Sequence, residues 1–230
     1  MPGPPMPVEA SRKHSRIFHL AIAASGLAGL MLQYQVTADL LAARGLGTGA
    51  ALLKLASFFT ILTNLLLTAV HSVCLFAPGS RAGRSLARPA VQTSLLLYIA
   101  IVGLVYSILL AKLWNPQGTQ WWADHLLHHA TPLLQFVFWI TCVPKKRLPW
   151  SYAVTWLAYP ALYLVWILAR GSQMADYPYP FVNLDKLGLA RTLANSAAMA
   201  LAFLCGGLLL IGVSRWLTKP DVMATAEKDV

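Results

Sequence analysis

Apolar residues along this chain gather into six long runs, covering roughly 17–36, 51–77, 90–111, 122–143, 150–169 and 190–217. Each run approaches the ~20 residues that a helix needs to cross the hydrocarbon of a bilayer. Helix is the only open-ended conformation available there, because lipid cannot satisfy an exposed strand edge. The runs are also too long and too continuous for barrel strands. The pattern predicts an all-α polytopic membrane protein with six transmembrane helices in a single domain over residues 16–217. Residues 1–15 open on Met-Pro-Gly-Pro-Pro-Met-Pro and read as a disordered arm, and 218–230 reads as a tail.

Composition sharpens this picture. Of the 230 residues, 57% are hydrophobic and 11% charged, against ~45–50% and ~25% in soluble domains. The net charge of +10 raises a nucleic-acid reading. The basic residues, however, stand in short groups between apolar runs, without a basic face or an aromatic stacking platform, so nucleic acid is excluded as a partner. Their distribution sets orientation. One side collects twelve Lys and Arg: Arg12, Lys13 and Arg16; Arg81, Arg84 and Arg88; Lys145, Lys146 and Arg147; and Arg215, Lys219 and Lys228. The other collects six: Arg44, Lys54, Lys112, Arg170, Lys186 and Arg191. This asymmetry places both termini in the cytoplasm and the protein in the cell membrane, with anionic inner-leaflet lipid as the partner of the basic loops. Trp114, Trp121, Trp122 and Trp166 near the outer ends, with Trp150 and Trp216 near the inner ones, form an interfacial belt. The first run is too long for the apolar core of a signal peptide and is read as a retained span. The cysteines, Cys74, Cys142 and Cys205, are odd in number and fall inside apolar runs, which excludes a full disulfide framework.

Polar side chains inside a span are expensive and face protein or water. In the second run Ser57, Thr60, Asn64, Thr68 and His71 recur at helical spacing. At ~100° per residue Thr60, Asn64 and His71 fall within roughly 40° of one another. The fourth run opens Asp124-His125-Leu126-Leu127-His128-His129-Ala130-Thr131-Pro132. Asp124 and Gln135 share the face of His128 within roughly 40°, and Pro132 releases the His128 carbonyl from its helical partner. Both helices run inward from the outer side, so Thr60 and His128 are expected at comparable depth. His71 is expected to bridge helices, as are Asn195 and Ser196. The four residues Asp124, His125, His128 and His129 invite a metal reading, but the His-x-x-His spacing lacks a second ligand pair, so no metal and no cofactor is expected. The loop before the sixth run, Asp176-Tyr177-Pro178-Tyr179-Pro180-Phe181, is extended by its two X-Pro steps. Tyr177, Tyr179 and Phe181 serve there either as a lid over a cavity or as an interfacial anchor.

Phe58-Phe59-Thr60-Ile61, His128 ahead of Pro132, and Tyr179-Pro180-Phe181 together resemble the androgen-induced protein superfamily of integral-membrane hydrolases, most closely its bacterial branch. The bacterial branch shares the Phe-Thr-Ile-x-Thr-Asn stretch (here Phe59 to Asn64) and the Leu-Leu-His-x-x-x-Pro run. Animal members are six-span threonine hydrolases that cleave esters between fatty acids and hydroxy fatty acids. The resemblance implies Thr60 as nucleophile and His128 as its base, with Thr63 standing where the animal members carry an acidic residue. Asn64 and Asp124 would support them, Asn64 or backbone amides meeting the developing oxyanion. The substrate implied is lipid-like, which suits a cavity that opens to the bilayer. A proton-linked or small-molecule transporter is the alternative, with the polar stripe lining its path; six runs without an internal repeat speak against it. A non-catalytic scaffold is the third reading.

Overall fold

The computed structural model describes residues 8–113, 115–174 and 177–218. Expectations placed on residues 1–7, Trp114, Asp176, Lys219 and Lys228 lie outside these. Among the described residues every regular element is helical. The α-helices are α1 (Val8–Ala42), α2 (Thr48–Leu55), α3 (Phe59–Phe76), α4 (Arg81–Leu86), α5 (Pro89–Val105), α6 (Gly118–His125), α7 (Thr131–Cys142), α8 (Tyr152–Thr155), α9 (Ala158–Met174) and α10 (Leu184–Trp216). A π-helical turn, Tyr106–Leu110, extends α5, and a second one, Leu126–Ala130, joins α6 to α7.

Five helical stretches are long and apolar enough to cross a membrane: Arg12–Ala42, Phe59–Phe76, Pro89–Leu113, Tyr152–Gly171 and Leu184–Trp216. The fourth expected run exists as an unbroken helical rod from Gly118 to Cys142. It is not among the five because Asp124, His125, His128, His129 and Gln135 dilute its apolar character. Two boundaries differ from expectation. Helix α1 begins at Val8, so residues 8–15 extend the first helix rather than forming part of a disordered arm. The second run is not one helix: it breaks between Leu55 and Phe59.

The rods pack around α1, α3, α5 and the α6–α7 rod. Gly26 and Gly29 let α1 approach closely: a Cβ at Gly26 would overlap the Thr68 hydroxyl, and one at Gly29 would stand 2.8 Å from Leu127 Cδ2. Small residues at a helix crossing are the usual device where lipid provides no hydrophobic drive to association. Ser25 and Thr131 share a hydroxyl–hydroxyl bond at 2.9 Å, and Gln33 and Gln120 exchange bonds at 3.3 and 2.8 Å. The interior between them is filled by Ile22, Leu67, Val70, Ile99 and Trp139, all buried. Helices α9 and α10 turn Leu162 (71% exposed), Val165 (68%) and Leu209 (66%) outward. An apolar periphery of this kind belongs against acyl chains, not water.

Candidate functional site

The break before α3 decides where Thr60 sits. Ala56 ends α2 in a right-handed helical conformation, and Phe58 is extended (φ −95°, ψ 125°). Neither proline nor glycine lies between Leu55 and Phe59, so the sequence carried no breaker signal. The carbonyls released by the break are satisfied from α9. The Tyr163 hydroxyl donates to Ser57 O at 2.8 Å, and the Trp166 indole donates to Ala56 O at 3.0 Å. Irregular backbone at membrane depth persists where neighbouring helices supply such partners. Thr60 is therefore in the first turn of a helix rather than in its middle. A bond from its hydroxyl to a helical carbonyl four residues back, the common fate of an intramembrane threonine, is not formed; Ala56 O receives the Trp166 indole. First-turn N–H groups lack helical acceptors, and the Thr60 N–H meets the Tyr179 hydroxyl at 3.5 Å.

His128 stands in the π turn of the α6–α7 rod. Its Nδ1 lies 3.0 Å from Asp124 O and 3.2 Å from Asp124 Oδ1. Asp124 is 1% exposed, and its other carboxylate oxygen accepts from the Tyr106 hydroxyl. The Tyr106 ring stacks on the His128 imidazole at 4.0 Å between centroids. Two π turns thus face each other, one carrying Tyr106 and the other His128, and such turns often mark functional positions. With Nδ1 directed at Asp124, Nε2 is the imidazole nitrogen left to handle a proton. The freed His128 carbonyl, expected from Pro132, rests against α5 at Gly103, where a Cβ would come within 3.0 Å of it.

Asn64 ties the two helices together. Its amide nitrogen donates to Thr60 O at 2.9 Å and to Leu127 O at 3.2 Å. The side chain therefore fixes the backbone of Thr60 against the residue that precedes His128. Both amide hydrogens are engaged there, which leaves the side chain no donor for the oxyanion role the resemblance implied. Thr63 turns away, its hydroxyl 3.1 Å from that of Tyr159.

Thr60, Asp124, His128, Tyr106 and Tyr179 line one cavity of about 720 Å³, with Arg44 and Lys54 also on its wall. Thr60 and His128 share this chamber without a hydrogen bond between them. Of the three aromatics expected as a lid or anchor, Tyr179 is buried, stacks parallel on Phe181 at 5.2 Å and meets Phe58 edge-on at 6.0 Å. Pro178 and Pro180 line the same chamber. Asn195 of α10 holds the loop by donating to Phe181 O at 2.9 Å. Asn195 thus bonds a loop instead of a neighbouring span, and Ser196 bonds Thr192 O of its own helix. Tyr177 packs against Gly171, where any Cβ would collide with its ring.

His125 turns away to stack on Trp121 at 3.7 Å. Among the described residues no three His, Cys, Asp or Glu side chains converge as metal ligands would. His71 bridges helices as expected. Its Nδ1 lies 2.8 Å from Nδ1 of His19 on α1, and its Nε2 lies 2.8 Å from Gln135 Oε1 on α7. Gln135 continues to Gln92 of α5 at 3.3 Å (backbone O) and 3.4 Å (Oε1). His19 and Gln92 escaped the sequence reading because their network partners lie on other helices, although Ser15, one turn before His19 and 3.3 Å from its Nε2, was a signal at helical spacing. No protein-family model, no curated protein and no solved structure matches this chain.

Proposed function

We propose that the protein is an intramembrane ester hydrolase acting on lipids, with Thr60 as nucleophile and His128 as base. One observation carries this reading: two helices tied together by Asn64 bring the threonine, the Asp124–His128 pair and the Tyr179 loop to a single chamber. In the reaction the Thr60 Oγ attacks the ester carbonyl carbon while its proton passes to His128 Nε2. Asp124, on the opposite ring nitrogen, orients the imidazole and stabilises its cationic form, as a carboxylate does in a Ser-His-Asp site. The oxyanion develops at the start of α3, where first-turn N–H groups, that of Thr60 exchanging the Tyr179 hydroxyl for it, and the helix dipole favour negative charge. His128 then protonates the departing alkoxide, and water cleaves the acyl-threonine by the same route in reverse. The Tyr179 loop withholds bulk water from the chamber, which strengthens each of these interactions.

The reading is placed in a six-span topology with cytoplasmic termini, supported by the charge asymmetry and by the Gly118–Cys142 rod. Arg81, Arg88 and Arg147 are exposed between spans and are assigned to anionic inner-leaflet lipid. Labelling of purified membranes with a fluorophosphonate probe tests the chemistry. Thr60→Ala and His128→Ala should each remove the label while retaining the wild-type melting behaviour; label that survives both substitutions refutes the assignment.

A further inference from the structure

A second cavity, of about 270 Å³, meets the first at Thr60, Leu110 and Tyr179, which line both. It lies between α5, α9 and α10 and is the more uniformly apolar of the two. Where the first chamber carries Asp124, His128, Arg44 and Lys54, the second is walled by Ile101, Val102, Leu164, Met199 and Phe203. Its other polar groups are already engaged: the Tyr163 hydroxyl on Ser57 O and the Ser196 hydroxyl on Thr192 O. The base is closed by buried Phe59 and Phe203, whereas Ala161 and Ala200 at the rim are exposed on the lipid-facing sides of α9 and α10. The slot is therefore reached laterally, past two small side chains, from where acyl tails lie.

We propose that this slot binds a single acyl chain, entering between α9 and α10, and presents its carbonyl end to Thr60 while the alcohol part of the ester occupies the larger chamber, which carries the charged groups. This rests on the hydrolase reading for the role of Thr60, but the binding of a chain does not. An apolar cavity of ~150 Å³ accommodates a benzene, so in proportion 270 Å³ takes roughly ten carbons. The slot is thus selective for one medium-length chain, or for the first ten or so carbons of a longer one whose end returns to the bilayer.

Binding is tested apart from chemistry in Thr60→Ala protein reconstituted in phosphatidylcholine vesicles. A ten-carbon alkyl ester bearing a terminal diazirine is photolysed, and the labelled peptides are identified. Label should concentrate on residues 157–164 and 196–203, saturate, and be displaced by unlabelled decanoate ester but not by cholesterol. Ala200→Trp, and independently Ala161→Trp should the first not fold, should reduce that label at least about tenfold, the scale on which a hydrophobic pocket discriminates by size. Label spread over outward-facing positions without saturation, or untouched by both tryptophans, overturns the slot. On wild-type protein, a series of fluorogenic esters should rise in rate to about ten acyl carbons and then level. Saturable labelling without any hydrolysis keeps the slot and removes the hydrolase reading; hydrolysis without saturable labelling does the reverse.

Discussion

Replacing Gln135 with leucine tests the buried network in the inner half of the bundle. Leucine is of similar reach but apolar and branched, so the loss is chiefly one of polar partners, with a smaller packing change. Gln135 is fully buried, as is His71, and Gln92 is 1% exposed. The substitution strands His71 Nε2, previously 2.8 Å from Gln135 Oε1, and Gln92 Oε1, previously 3.4 Å from the Gln135 amide. In a water-soluble core each stranded group would cost about 1–3 kcal/mol. Inside a membrane the unfolded reference also finds partners, and measured couplings average about 0.6 with a maximum near 1.7 kcal/mol. The membrane figure governs here because the network lies within spans, so Gln135→Leu should cost about 1–2 kcal/mol. For a chain of this size that is a fall in Tm of roughly 2–8 °C. His71→Leu alone strands Gln135 and His19 together. The double variant should be less destabilised than the sum of the singles by about 0.6–1.7 kcal/mol. Cys74, buried on α3, supplies the reporter: in a Cys142→Ser, Cys205→Ser background a thiol-reactive dye reads its exposure on heating. Additivity of the two singles within about 0.3 kcal/mol would show that the bond does not hold the helices, and refute the reasoning.

Asp124→Asn should retain the fold yet lower ester hydrolysis by about 10²-fold or more, since it misorients the imidazole and removes its countercharge; purified-protein rates at matched expression check this. Tyr163→Phe strands the Ser57 carbonyl and should lower Tm by about 2–6 °C, with a larger effect on hydrolysis than on stability because Thr60 follows that break. Gly103→Val drives a branched side chain against the His128 carbonyl and should destabilise by about 1–3 kcal/mol, read by the same thiol assay. For topology, Gln117→Cys should react with an impermeant maleimide on intact cells, and Arg147→Cys only after permeabilisation; reaction of both from one side would remove the six-span arrangement.

Much of the architecture was legible because length and continuity of apolar runs speak directly to bilayer thickness. Five of the runs appear as long apolar helices, the third and fifth within two residues of their expected bounds, while the first and sixth start earlier and the second starts later. The fourth was also placed correctly as a helix, by ignoring the polar residues that keep it out of a purely compositional count. The break at 56–58 was not legible: it depends on Tyr163 and Trp166, more than a hundred residues away, accepting the duty of satisfying Ala56 and Ser57. Helical periodicity grouped Thr60 with Asn64 and His71, and that grouping holds, although the three do different things. Asn64 ties backbones, His71 joins His19 and Gln135 deeper in the bundle, and Thr60 opens a helix. Tyr106 was invisible as a site residue, since a tyrosine in an apolar run reads as packing until a buried carboxylate is found beside it.

Polar groups in this bundle are stratified in a way that bears on the proposed chemistry. In the inner layer His19, His71, Gln135 and Gln92 bond one another in sequence, a self-satisfied chain. In the outer layer the pattern is reversed. Asn64 Oδ1 and Asp124 Oδ1 are buried without a hydrogen-bond partner, although the latter keeps its ion-pair distance to His128, and both belong to residues that hold the walls of the chamber. A fold selected only for stability would satisfy both layers alike, because a half-satisfied polar group costs more than an apolar one. Stability accounts for the inner layer. The outer layer leaves two acceptors open, and an ester group, which has no donor, cannot complete either of them, so they are partners for a water or a hydroxyl rather than for the ester of the proposed reaction.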